Sequence, residues 1–536
     1  MIHSYLIIAI LSAFSVLILV MLGQKLRIAY PIFLVIAGLL ISFIPGMPSV
    51  EIEPDLVFLI FLPPILFEAA WYTSWKDFAQ WRKPIFSLAV GLVIITSTVV
   101  ALVSNALIPG MTLALGFLLG GINSPPDAVA ATSILKHMKL PRRIMAILEG
   151  ESLVNDASSL IVFKFALAAV MTGQFILMNA VVDFFVIAGM GIIIGLSLGM
   201  LFSWLMRWLP SNSNIDTVLT LLIPYILYIT AEYFHFSGVM AVVSGGLLMS
   251  YNANCFLSHT TRIQAGSVWN TLIFMLNAVV FMIIGLELPV VIEGMKEYSL
   301  WDGVFYAIVI GGVIILTRTL YIFLLSYFPA VMHYKHEKRP ARPEWQEPFI
   351  MSISAMRGVV SLASALAIPF LLADGTAFPQ RNLILFVTFV IILITLVGQG
   401  LLLPLILKFV KVTELTEGLP EEKQEALILH RLKNKALNTI TADYKDVVKH
   451  NSLVNHMKIS LENEVGLIND KMQCIHTNEG HTEAMGQSRE VYRGLLRAQR
   501  RELMAIRSER RYDDNVIRSL EMQLDLDEVK ITGFEH

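Results

Sequence analysis

The chain has 536 residues, 56% of them hydrophobic and 15% charged, against about 25% charged in an ordinary soluble domain, so most of it is membrane protein. The formal net charge of −2 says nothing by itself about partners, and nothing in the chain points to nucleic acid. Two cysteines, Cys255 and Cys474, stand far apart and exclude a disulfide framework.

A helix needs about 20 apolar residues to cross a bilayer. Thirteen such spans are predicted, at 4–22, 30–45, 55–71, 84–107, 111–137, 143–172, 179–207, 215–233, 237–250, 267–292, 300–328, 348–372 and 382–410. The second and ninth are short. The first has no basic segment before it and is long for a signal peptide, so it reads as a retained span. Basic residues gather in every second connection: Lys25 and Arg27; Lys76, Arg82 and Lys83; Lys136, Lys139, Arg142 and Arg143; Arg207; Arg262; Lys335, Lys338, Arg339 and Arg342; then Lys408 and Lys411. Lys296 and Arg381 are the exceptions. Cytoplasmic loops collect Lys and Arg, so the alternation puts the N-terminus outside and the C-terminus in the cytoplasm.

Polar residues at membrane depth are costly and mark function. Glu68, in LPPILFEAAW, lies toward the cytoplasmic side of the third span, as an ion-site residue or the partner of a nearby base. The fifth span contains GGINSPPDAVAA, where Pro125 and Pro126 remove backbone donors and break the helix. A break at depth needs protein or a water-filled cavity around it, and broken helices mark transporter sites. Asp127 follows directly, as the cap of the second half-helix, as an ion ligand, or as both. The sixth span opens on EGESLVND, residues 149–156. Ser152 and Asp156 are four apart and share a helix face, with Asn155 beside them and Glu149 three before Ser152. A hydroxyl, an amide oxygen and a carboxylate suit a hard monovalent cation, and the carboxylate alone can take a proton. One site that accepts either is the minimum of an ion–proton exchanger. Arg357, in SISAMRGVVSLASALAIP of the twelfth span, needs a carboxylate partner, and Glu151 is the best candidate. Arg318 in the eleventh span also needs an acid. Lys164, eight residues beyond Asp156, reads as reaching outward rather than pairing with it. The fifth and twelfth spans cross in opposite directions, which suits an inverted repeat of spans 1–6 against 8–13.

From about residue 412 the chain is polar, with helical periodicity in EEKQEALILHRLKNKALNTI and REVYRGLLRAQRRELMAIRSERR. Tyr492, Leu495, Leu496, Leu503 and Ile506 fall roughly on one face, and Asp513 is a candidate cap for a further helix. The tail has no Gly-rich loop and reads as a helical cytoplasmic domain for regulation or self-contact. The organisation is therefore 1–411 in the membrane and 412–536 outside it.

EGESLVND preceded by NSPPDAVAA, with LPPILFEAAW upstream and AMRGVVSLA downstream, resembles the monovalent cation:proton antiporters of the NhaP kind, bacterial relatives of the animal Na⁺/H⁺ exchangers. The likeness extends over the whole membrane region, and the tail looks like that of the longer bacterial members. The resemblance implies an all-α polytopic NhaA-like fold with inverted repeats and two broken crossing helices, divided into core and dimer subdomains and working as a homodimer. It implies that Asp156 binds Na⁺ or H⁺ in competition, that Asn155, Ser152, Asp127 and Glu68 surround it, and that Glu151 pairs with Arg357. The Asn–Asp order implies electroneutral exchange without any cofactor beyond the transported ions. The competing readings are K⁺ as the preferred cation, a gated channel, a sensor that has lost transport, and an intramembrane hydrolase using Ser152, Asp156 and His235. The last lacks a nucleophile elbow.

Overall fold

The computed structural model describes residues 14–42, 54–127, 141–332, 344–410, 421–477 and 481–508, apart from a few single positions and short breaks, with isolated positions beyond. Every regular element among these is helical. Extended backbone is confined to two isolated bridges, Asp127 with Met356 and Leu371 with Ala377. The chain divides into two compact units, Met1–Glu414 and Leu415–His536.

The first unit contains α1 (Tyr30–Ser42), α2 (Pro54–Tyr72), α3 (Arg82–Leu107), α4 (Leu113–Asn123), α5 (Arg142–Thr172), α6 (Leu177–Trp208), α7 (Ser213–Tyr233), α8 (Gly238–Phe256), α9 (His259–Gly294), α10 (Leu300–Met332), α11 (Gln346–Ile353), α12 (Val359–Leu366) and α13 (Arg381–Leu393). A π-helical turn, Ile394–Gln399, continues α13 into α14 (Gly400–Phe409). Eight helices among the described residues are long and apolar enough to cross a membrane: α3, α5 to α10, and Arg381–Gln399. Three shorter apolar helices and the broken pair α11–α12 add to them. The thirteen-span count is not reached by helix length, because the predicted span 4–22 and the second half of 111–137 lie largely outside the described residues. The ninth span is longer than its predicted 237–250, since the helix continues through Tyr251–Phe256.

The caps follow the sequence. Thr112, Asn212, Ser237 and Ser258 each precede a helix and accept a backbone N–H from its first turn, which satisfies one of the donors a helix start leaves open. Gly173 ends α5 at φ 68°, a left-handed position that suits glycine.

The helices sort into two packing groups. A panel is formed by α1, α2 and α6 to α9, with α6 against α8 and α1 against α9 as its tightest seams. A bundle is formed by α3 to α5 and α10 to α14, with α4 lying between α3 and α5. Glycines set the panel seams. Gly191, Gly195 and Gly199 share one face of α6, and a Cβ on Gly195 would stand 2.2 Å from the Ala241 carbonyl of α8. Helices in lipid gain little from burying apolar surface, so close backbone approach and dispersion hold them. The other face of α6 exposes Phe185, Ile193, Met200 and Trp204, as a lipid-facing surface does.

In the second unit, α15 (Glu421–Ala442), α16 (Lys445–His450) and α17 (Ser452–Thr477) form a helical hairpin joined by Lys433 and Glu464. The amphipathic α18 (His481–Ser508) buries Leu496 and Leu503. Leu495, expected on that buried face, is exposed; helical phase puts it to one side of the Leu496–Leu503 line. Asp513 lies outside the described residues.

Candidate functional site

The two breaks seen in the sequence meet in space. The helix α4 stops at Asn123, and the chain runs non-helically through Ser124, Pro125 and Pro126 to Asp127. The twelfth span stops at Ile353 and restarts at Val359. The Asp127 N–H donates to the Met356 carbonyl at 2.7 Å, joining the two extended segments as an antiparallel bridge. Gly358 makes the approach possible: a Cβ there would lie 1.7 Å from Asp127 Oδ2. The predicted second half-helix, after Asp127, lies outside the described residues.

Broken backbone in an apolar setting needs partners, and neighbouring helices supply them. Asn155 on α5 donates through Nδ2 to the Pro126 carbonyl at 3.1 Å. Asn123 donates through Nδ2 to Thr388 Oγ1 of α13 at 2.9 Å, and its carbonyl accepts Arg357 Nε at 2.8 Å. The Arg357 N–H reaches Thr395 Oγ1 at 3.3 Å, and Thr395 in turn donates to the Ile391 carbonyl. Thr388 and Thr395 are seven residues apart, two turns along one stripe, so one helix face serves both breaks. Sequence reading passed over both threonines. The signal was present: they are the polar positions of an otherwise apolar run, at a spacing that repeats on one face.

Asp156 lies beside this crossing. It is fourteen residues into α5, about 21 Å along an axis rising 1.5 Å per residue. Its side chain is buried, and Asp127 is near enough to act on it electrostatically. Ser152, one turn earlier, is partly buried. Asn155 Oδ1 is buried with no hydrogen-bond partner among the described residues, although Nδ2 of the same amide is engaged. That leaves a buried amide oxygen on the residue preceding the buried Asp156.

The expected Glu151–Arg357 pair is corrected. Glu151 is 1% exposed and is paired with Arg318 of α10 through both guanidinium ends, one at 2.9 Å. Arg318 also donates to the Met351 carbonyl at 3.2 Å, so it clamps α5, α10 and α11. Arg357 stays within electrostatic reach of both Glu151 and Arg318 but spends its Nε on Asn123. The sequence showed two buried arginines and one buried glutamate without saying which helix lay nearer. Glu68 lines a hollow of about 130 Å³ together with Trp71, Tyr72, Arg262 and Trp269, at the Tyr72 end of α2; neither Asp127 nor Asp156 lines it. Lys164 turns away from Asp156, as expected, and meets Glu232 at the end of α7.

The chain matches the family described as "Sodium/hydrogen exchanger, transmembrane" over residues 10–409. It is 34% identical over 388 residues to a "Sodium, potassium, lithium and rubidium/H(+) antiporter" of Bacillus pumilus, covering 71% of this chain and 58% of that protein. The chain thus spans under two thirds of that relative's length. It is 29% identical over 528 residues to an "Uncharacterized Na(+)/H(+) exchanger" of Mycobacterium tuberculosis, covering 98% and 95% of the two chains. The fold is similar to that of the sodium proton antiporter MjNhaP1 from Methanocaldococcus jannaschii at pH 8, with a TM-score of 0.59 at 20% identity, covering 76% of this chain and 99% of the other.

Proposed function

The chain belongs to the sodium/hydrogen exchanger family, and from that premise we propose that it exchanges Na⁺ for H⁺, one for one, across the cytoplasmic membrane. The carrying observation is the buried Asp156 beside two broken helices that meet at Asp127 and Met356. Its carboxylate takes a cation or a proton in turn. Asn155 Oδ1, Ser152 and Asp127 supply further oxygens around a bound Na⁺, and Glu68 serves the approach from the cytoplasmic end. Alternating access carries either loaded form. Moving the empty, charged site through an apolar barrier is costly, and that penalty couples the two fluxes. Glu151, Arg318 and Arg357 brace the crossing and do not touch the ion. The protein works as a homodimer, with the N-terminus outside and the C-terminal tail in the cytoplasm, where the tail takes a regulatory ligand or protein.

A wider cation range, including K⁺, Li⁺ and Rb⁺, is the second reading, favoured by the name of the Bacillus relative. Sealed proteoliposomes with an acidic lumen and an internal pH dye test both. Added Na⁺ alkalinises the lumen with wild type and not with Asp156→Asn; comparing K⁺, Li⁺ and Rb⁺ at equal concentration gives the preference. Normal exchange by Asp156→Asn removes the assignment.

A further inference from the structure

Lys164 and Glu232 have no place in the ion site, yet they connect the two helix groups. Lys164 is on α5, eight residues or about 12 Å beyond Asp156 on an axis rising 1.5 Å per residue. Glu232 ends α7 of the panel. The Lys164 ammonium donates to both oxygens of the Glu232 carboxylate, at 2.9 and 2.8 Å. Glu232 is itself aimed by the fold: its Oε1 also accepts the Gly238 N–H that begins α8, at 3.2 Å. The turn holding it is shaped by His235 at φ 61°. The pair therefore ties the helix that carries Asp156 to the corner between α7 and α8.

Among the described residues, Asn382 Nδ2 of α13 also donates across to the Gly294 carbonyl of α9 at 2.7 Å, and Tyr298 Oη, in the connection from α9 to α10, donates to the Pro109 carbonyl between α3 and α4 at 3.0 Å. Both join residues at the same side of the membrane unit as Lys164, the side away from the basic Arg142–Arg143 end of α5. The hollow lined by Glu68 and Arg262 lies at the opposite side. Polar contacts gather on one face, and the hollow lies on the other.

We propose that Lys164 and Glu232 are further residues of the transport cycle: an outer latch that closes only while Asp156 faces the cytoplasm, and that must open before it faces outward. This rests on the antiport reading and its orientation. A contact present in one of two states shifts their populations by its own free energy and nothing more. The pair is half-exposed, so the shift is modest, at most about fivefold for an exposed ion pair. Lys164→Met or Glu232→Gln then lowers the apparent cation affinity measured from the cytoplasmic side and raises it from the outer side, the two changes multiplying to that factor. Equal changes on both sides, or none, overturn the latch.

A second measurement reads the closure directly. In a background of Cys255→Ser and Cys474→Ser, the double variant Lys164→Cys with Glu232→Cys is treated in membranes with a short bifunctional thiosulfonate, which spans the room left by two longer side chains. The latch requires that the thiols join, that joining stops exchange, and that a reductant restores it. Exchange that continues after joining overturns the proposal, as does failure of the thiols to join. A wild-type protein silent toward every cation overturns the antiport reading instead, while thiol joining still scores the contact.

Discussion

The panel and the bundle are built from similar apolar helices and share small-residue seams, Gly120 of α4 against Ser97 of α3 among them; the bundle adds buried polar bonds around its broken backbone. In the panel, small residues let backbones touch: Gly195 against Ala241 and Ser244, and Gly38 against Met282. In the bundle, buried polar groups are added to such seams: Glu151 with Arg318, Asn123 with Thr388, Asn155 with Pro126 and Arg357 with Thr395. The reason is the broken backbone. A continuous helix satisfies its own amides and can be packed by shape alone, whereas two interrupted helices present N–H and C=O groups that only side chains from neighbours can meet. The body that carries Asp156 is thus braced by directional bonds, and the panel offers it a wall held by contact.

This contrast breaks or sharpens under substitution. Glu151→Gln has the largest expected effect, because it takes from the buried Arg318 the carboxylate it is paired with. Losing one partner of a buried ion pair costs about 3–5 kcal/mol, so the melting temperature in detergent falls steeply and exchange is lost; an unchanged melt would show that the pair does not hold the bundle. Next comes Gly195→Val, which forces α6 off α8 and costs about 1–3 kcal/mol as overpacking. Thermal stability drops, while a fraction that remains folded keeps its cation preference. Gly358→Ala is the bundle's counterpart: its Cβ meets the Asp127 carboxylate, so exchange falls and apparent cation affinity changes even where folding survives. Should Gly195→Val and Gly358→Ala affect cation affinity alike, the division of labour between the groups is wrong. The smallest effect is that of Thr395→Val, which removes one hydrogen-bond partner at about 1 kcal/mol. Thr395→Ser keeps the hydroxyl and restores the wild-type melt; equal behaviour of Val and Ser at this position would leave Thr395 as mere packing.

Residues that break a local rule were readable from the chain. Pro125 and Pro126 in an apolar run announced an interrupted helix, and Asp156 in another announced a buried carboxylate, because each is expensive where it stands. Residues that answer those breaks were harder to see. Thr388 and Thr395 are cheap anywhere in a helix, since a threonine hydroxyl can bond to its own helix's carbonyl as Thr395 does to Ile391. Glu232 looked like a helix-end acid, and its meeting with Lys164 depends on how α5 passes the α7–α8 corner.

The sequence by itself determined the membrane class, most of the helix boundaries, the two interrupted spans and the buried carboxylate of Asp156. These follow from burial cost and helical periodicity, which are local properties of the chain. The tertiary structure alone decided which arginine takes Glu151, that Glu68 lines a hollow of its own, that Gly358 gives way to Asp127, and that Lys164 crosses to the panel. Pairing is settled by which helix lies beside which, and by angles of approach that depend on every seam at once. A buried charge states in sequence that it must have a partner; only the packing says which.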